Sequence, residues 1–117
     1  MSTFTKNKLS GSTSGKQIKI VATSSTGTTI HTATSSTDSF VWDEIWIWAS
    51  NNDTVVRTFT LEWGGTASPD DLSTISIAPG ERVLVANGRI LHNSLVVTGF
   101  ASAANVICVD GFVNAIT

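Results

Sequence analysis

The residues able to do chemistry are few and scattered along the chain. His31 and His92 are the only histidines, and the carboxylates nearest them in sequence are Asp38 and Glu81, so neither has a second ligand at metal-binding spacing. Both read as ordinary strand or loop residues. Asp43 and Glu44 are adjacent and would point to opposite faces of one strand, the wrong geometry for shared acid and base work on a glycosidic bond. Asp70-Asp71 and Asn51-Asn52-Asp53 offer oxygens to a hard cation such as calcium. Neither follows an ordered ligand spacing, and turn chemistry accounts for both. The serines stand in no nucleophile motif with a positioned base, and no phosphate-cradling glycine loop or dinucleotide fingerprint occurs. The expectation is a protein without catalytic residues, cofactor or metal.

The distinctive chemistry is aromatic. All four tryptophans fall between Trp42 and Gly65, in two arms rich in aromatic and β-branched residues on either side of the polar stretch Ser50 to Thr54. That pattern predicts a hairpin. With its turn centred on Asn52, Ile45 falls opposite Phe59 and Trp46 opposite Thr58. Ile45, Ile47, Ala49, Val55, Phe59, Leu61 and Trp63 then share a core face, interrupted by Arg57, whose stem can lie on apolar surface with its head in water. Trp42, Trp46 and Trp48 take the other face, among Glu44, Val56, Thr58, Thr60 and Glu62. Three such rings, at roughly 150–250 Å² each, make an apolar patch near the limit that a soluble monomer leaves open. Three covers are open for it: a second layer of the same chain, a neighbouring subunit, or a sugar stacked on the rings.

The elements that must position these rings fit one domain. The chain has 117 residues, 41% hydrophobic and 14% charged, with a net charge of -2, which sets it apart from disordered chains and gives no electrostatic reason to bind nucleic acid or an anionic membrane. Cys108 is alone, which excludes an internal disulfide, and in Val-Ile-Cys-Val it reads as a small buried hydrophobe. The first residues lack the apolar run of a signal peptide, and no stretch approaches the ~20 apolar residues that span a bilayer.

Residues 1–15 read as a flexible N-terminal arm, or at most a short edge strand, around Phe4 and Leu9; residues 16–117 form the folded domain. Gln17 to Thr23 and Thr28 to Thr34 read as strands, as do Thr74 to Ala78 and Glu81 to Ala86, the last two joined as a hairpin by a type II turn at Pro79-Gly80. Asn87-Gly88 signals a turn, with Arg89 to Asn93 as a crossing loop. Ser94 to Ala101 and Asn105 to Ile116 complete the set. In the last strand Val106 and Cys108 point one way and Ile107, Val109 and Val113 the other, so it is central or covered by a partner. About eight short strands without a convincing helix predict an all-β fold, a single antiparallel β-sandwich with a jelly roll as one candidate topology.

Ile30-His-Thr-Ala33, Asp43-Glu-Ile-Trp-Ile-Trp-Ala-Ser-Asn51, Leu61-Glu-Trp-Gly-Gly65, Ile77-Ala-Pro-Gly80 and Asn105-Val-Ile-Cys-Val-Asp-Gly111 together resemble small all-β virion structural proteins of tailed bacteriophages. The resemblance spans roughly Gln17 to Ile116. It implies a capsid decoration or cement protein without catalytic residues, often a trimer, that binds the major capsid protein or another virion protein and its own neighbours. A neck, tail or baseplate position is the variant of this expectation. A carbohydrate-binding module using the tryptophan face is the rival. The implied contact residues are Trp42, Trp46 and Trp48, the strand carrying Val106, Ile107, Val109 and Val113, and Phe4 and Leu9 in the arm.

Overall fold

The computed structural model describes residues 2–117. Among them nine strands form two antiparallel sheets: β1 (Phe4–Lys8), β2 (Ile18–Lys19), β3 (Thr28–Thr32), β4 (Trp42–Asn51), β5 (Arg57–Trp63), β6 (Leu72–Ile77), β7 (Arg82–Leu91), β8 (Val96–Ala101) and β9 (Ile107–Ile116). Sheet A has the order β1-β9-β4-β7, with β2 also on β9, and sheet B has the order β3-β8-β5-β6. The expected all-β sandwich is present.

The pairing has a simple logic. β1 and β2 pair with β9, β3 with β8, β4 with β7, and β5 with β6. The chain is therefore one long antiparallel ribbon whose tip is the loop between β5 and β6. Rolling up that ribbon brings β9 against β4 and β8 against β5, which are the two remaining pairings. This is a jelly roll. From β2 onward, consecutive strands lie in opposite sheets everywhere except at the ribbon tip.

Two expected hairpins are corrected by this topology. β4 and β5 do not pair. Ile45 faces Val113 and Arg89, while Phe59 faces Ile75 and Ala101, and residues 52–56 cross from one sheet to the other. The Pro79-Gly80 turn forms, with the Glu81 N–H donating to the Ala78 carbonyl at 3.1 Å and Gly80 at φ +74°, but it carries the chain from β6 in sheet B to β7 in sheet A. The Asn87-Gly88 signal is a bulge inside β7, not a turn, and β7 continues to Leu91.

Within the N-terminal segment, Phe4–Lys8 take the edge-strand form. β1 pairs with β9 from Phe4 opposite Ile116 to Lys8 opposite Phe112, and Leu9 then turns into the core. The sandwich begins at β1 rather than at residue 16. β9 is apolar on both sides because it is central, with β4 on one flank and β1 and β2 on the other.

β4 shows how the sequence builds the core. Its burial alternates strictly along ten residues, with Asp43, Ile45, Ile47, Ala49 and Asn51 inward. Three apolar residues lie between two polar ones, and each polar end reaches across to other elements. Asn51 Nδ2 donates to the carbonyls of Ile77 at 2.8 Å and Val55 at 2.9 Å, and its Oδ1 accepts from the Asp53 N–H at 2.9 Å. At the other end Asp43 Oδ2 lies 2.8 Å from His31 Nε2 of β3 and accepts from the Thr34 N–H. These links cross between the sheets.

A third buried polar group pins a loop. Glu62 points to the outer side of sheet B, is fully buried, and accepts hydrogen bonds from Ser25 Oγ, the Gly27 N–H and Thr98 Oγ1, so the loop between β2 and β3 is held down over that face. Burial pushes its carboxyl up, but the hydrogen bonds from Ser25, Thr98 and Gly27 outweigh burial and leave the pKa below the ordinary glutamate value.

Two outcomes follow. Asn51→Ala removes the side-chain donor from the Ile77 and Val55 carbonyls, the first of these bonds buried, and the acceptor of the Asp53 N–H, and is expected to lower unfolding free energy by about 2–4 kcal/mol in urea titrations. Because the folded pKa of Glu62 is depressed, its contribution is present above the unfolded-chain value and is lost as pH falls through the folded value. Glu62→Gln is therefore expected to destabilise by about 1–3 kcal/mol at neutral pH. The difference from wild type should shrink as pH falls below about 4, as read by thermal melts across pH.

Candidate functional site

The outer face of sheet A carries the aromatic residues. Residues directly opposite one another across antiparallel strands share a face. Trp46 lies opposite Phe112 of β9, and Trp48 lies opposite Asp110 of β9 and Leu84 of β7. The Trp46 and Trp48 centroids are 6.5 Å apart with planes at 21°, Trp46 and Phe112 are 6.0 Å apart at 11°, and Trp48 and Phe112 are 6.2 Å apart at 30°. These distances form a nearly equilateral triangle. A column of stacked rings cannot do this, because its outer pair would stand at twice the spacing. The three rings instead form a compact cluster, a tile of near-parallel planes over β4 and β9 in which Trp46 is offset-stacked with both Trp48 and Phe112.

The strand next door makes room for one of them, Trp46. β7 carries two bulges, one between the partners of Ile45 and Trp46 and one between those of Ile47 and Trp48. At the first, Gly88 has φ +67°, and a Cβ there would stand 3.0 Å from Trp46 Cζ2. The indole thus rests on the β7 backbone, and glycine is required both for the conformation and for the space.

Polar groups rim the tile. The Trp46 Nε1–H donates to Glu44 Oε1 at 2.8 Å, and Asn114 Nδ2 donates to the same oxygen at 3.1 Å. These two bonds hold the Glu44 carboxyl below its ordinary pKa. Lys6 Nζ stands 4.4 Å over the Phe112 ring, and the Arg82 guanidinium stands 4.9 Å over Trp48 while donating to Asp110 Oδ2 at 2.7 Å. Asp110 Oδ1 is buried and has no hydrogen-bond partner.

The predicted contact residues separate into groups. Trp46 and Trp48 come together in the tile. Trp42 stands apart, stacked on His92 at 3.6 Å and 10°, with its Nε1–H donating to the Ser39 carbonyl. It shares a row with Ile116 and with Phe4, which is 62% exposed. Thr58, Thr60 and Glu62 do not flank the tryptophans, since they belong to the outer side of sheet B. Leu9, Ile107, Val109 and Val113 are at most 1% exposed and form part of the core, so their assignment as contact residues is corrected. Val106 is half-buried at the loop end.

Sequence reasoning missed Phe112, Lys6, Arg82, Asn114 and Asp110. A signal for three of them was present. The alternation Cys108, Asp110, Phe112, Asn114, Ile116 marks one face of β9, but not the strand beside it.

A second surface lies at the end of the sandwich where β2 meets β3, β4 meets β5, β6 meets β7 and β8 meets β9. Backbone bonds stitch these connections side by side: Asn105 N–H to Ile20 O at 3.0 Å, Asn52 N–H to Val106 O at 2.8 Å, and Gly80 N–H to Asn51 O at 2.8 Å. Val21, Val55 and Val56 are exposed there, at 53%, 49% and 59%. Val55, expected in the core, is on this surface instead because the chain crosses between sheets at that point. Charges at this end are few: Asp53, paired to Arg57 Nε at 2.7 Å, Glu81, and Lys19 and Arg82 where β2 ends and β7 begins.

The remaining polar groups are occupied structurally. The Ser10 N–H donates to His31 Nδ1 at 3.0 Å, and a backbone amide can only donate, so Nδ1 is the acceptor and Nε2 carries the hydrogen bonded to Asp43. Both lone-pair and N–H positions of that buried ring are taken. In the turns, Asn51 Oδ1, Asp53 Oδ1 and Asp71 Oδ2 accept backbone N–H groups, as turn chemistry predicts. A groove of about 410 Å³ on sheet B is lined by Thr26, Thr29, Gly64, Leu95 and Thr98 among others, with no ionisable side chain.

No protein-family model, curated protein or solved structure matches the chain. The geometry therefore carries the functional reading.

Gly88→Ala is expected to lift the Trp46 indole and cost about 1–2 kcal/mol through the positive φ and the crowded ring. Near-ultraviolet circular dichroism should lose tryptophan signal while far-ultraviolet spectra stay unchanged.

Proposed function

We propose that this protein is a non-catalytic structural protein of a tailed-phage virion, a capsid decoration or cement subunit that docks through its loop end. The observation that carries the reading is that end itself: Val21, Val55, Val56 and half-buried Val106 on loops stitched together by backbone hydrogen bonds, with few charges among them. Exposed apolar side chains on a rigid support are suited to burial against another protein, since little conformational entropy remains to be lost. Ordinary interfaces bury about 800 Å² per partner, and repetition over many copies multiplies a modest contact by avidity.

Other features support the same reading. The jelly-roll architecture recurs in viral capsid domains. The sequence resemblance implies a closed oligomer, a trimer in this reading, seated on the major capsid protein. Three inter-element clasps, at Asn51, at His31 with Asp43, and at Glu62, give a stiff unit suited to bearing load from packaged DNA.

The Val55→Asp/Val56→Asp double variant tests the assignment. Both sites are exposed, so stability is expected to stay within about 1 kcal/mol of wild type. Light scattering over a dilution series should show loss of the wild-type oligomer, and the variant should no longer bind particles. Retention of wild-type mass and particle occupancy overturns the loop-end assignment, and absence of the wild-type protein from purified particles overturns the virion reading.

A further inference from the structure

We infer that the outer face of sheet A is a binding platform for a neutral glycan, with a pyranose ring stacked on the Trp46, Trp48 and Phe112 tile. This goes beyond the virion reading and uses a different surface.

The first observation is the attitude of the rings. Three aromatic planes within 11–30° of one another, at 6.0–6.5 Å spacing, make a compact and partly exposed cluster of near-parallel rings. Lys6 and Arg82, both exposed, stand over the faces of Phe112 and Trp48, so these faces are covered by surface side chains. An aromatic face attracts partial positive charge, and the C–H face of a pyranose presents that polarity over an area similar to a ring. Both cationic side chains are on the surface, and a bound sugar displaces Lys6 from Phe112 and Arg82 from Trp48, the latter with loosening of its 2.7 Å bond to Asp110.

The second observation is the rim. Within one side-chain length of the tile stand Glu44, Asn114, Asp110, Arg82 and Lys6, donors and acceptors together. An apolar protein surface pressed here would strip water from four ionic groups and return nothing, a strongly unfavourable step. The hydroxyls of a sugar return a hydrogen bond to each.

Charge then sets the class of sugar. Lys6 and Arg82 balance Glu44 and Asp110, and Lys8, opposite Phe112, donates its ammonium to the Ser12 carbonyl at 2.9 Å. The balanced rim favours an uncharged glycan over a sulfated or uronate one. Pre-organisation supports binding as well: the Trp46 indole is fixed by Glu44 and seated on Gly88, so little ring motion is lost on contact.

The test titrates the intact protein with cellohexaose, maltohexaose, chitohexaose and laminarihexaose, following tryptophan fluorescence and heat, with oligogalacturonate and heparin as charged comparisons. The expected result is a saturable shift with at least one neutral oligosaccharide at a dissociation constant of about 10 μM to 1 mM. Trp48→Ala and, as a milder change, Phe112→Leu should each weaken it about tenfold or more while keeping the wild-type melting profile. If either unfolds, Arg82→Gln and Asn114→Ala, at the exposed rim, serve in its place and should weaken binding with the fold intact. Val55→Asp/Val56→Asp should bind sugar as wild type does, so failure of the docking assignment and failure of the glycan assignment are read separately. No signal from any neutral oligosaccharide at about 10 mM, undiminished binding in the tile and rim variants, or preference for a charged glycan overturns the inference.

Discussion

The structure depends on the two-sidedness of β4. Its ten residues lie at the centre of sheet A, between β9 and β7, and each step along the strand exchanges one environment for the other. Inward, Ile45, Ile47 and Ala49 fill the sandwich between the polar clasps of Asp43 and Asn51. Outward, Trp46 and Trp48 join Phe112. A shift of one residue in register would exchange these sets, burying Glu44 and three indoles in a space shaped for isoleucine and exposing the clasps. Register is therefore firmly fixed here, and the position of the outer rings is a consequence of the packing of the inner side chains.

This coupling explains how a small protein with little charge keeps a large aromatic surface ordered. Rings on a solvated face usually move, and their apolar area tends toward non-specific association. Here each ring is tied to something. Trp46 is bonded to Glu44 and rests on a glycine bulge, Trp48 and Phe112 lie under cationic side chains, and Trp42 is stacked on His92. The bulges of β7 are part of this arrangement. They also break the regularity of a free sheet edge, which discourages edge-to-edge pairing with other chains.

Much of the fold was legible in the sequence because alternation reports the face of a strand directly. The inward set of β4 and the opposed sides of β9 were readable from period-two patterning, as was the type II turn at Pro79-Gly80. Strand partners were not legible, for a physical reason. Five residues, 52–56, can close a hairpin within one sheet, but they can also span the roughly 10 Å between two sheets, and the polar residues of both connections are the same. Asn87-Gly88 misleads in a related way, since a positive-φ glycine serves a bulge as well as it serves a turn. Once β4 was paired with the wrong strand, the neighbours of the tryptophans followed. Thr58, Thr60 and Glu62 took the place that Phe112, Asn114 and Arg82 fill. The polar rim, which gives the aromatic tile its chemical meaning, was therefore hidden from any reading of local pattern.

The jelly roll also separates the two surfaces in a way that matters for function. Its sheet faces and its loop ends are built from different residues of the same strands, so one can change with little effect on the other. The loop end depends on Asn51, whose side chain binds the loop from β4 to β5 and the end of β6 together, while the tile depends on residues 44–48 and on β9. Docking by the loop end would leave sheet A roughly parallel to the strand axes and facing sideways from the support, open to solvent. A subunit held at one end and carrying a rigid aromatic cluster along its flank has no need of a moving part or a catalytic group. In the proposed role such a subunit would act by holding one stiff object at a defined distance from another, and the buried polar clasps at the ends of β4 would hold that geometry.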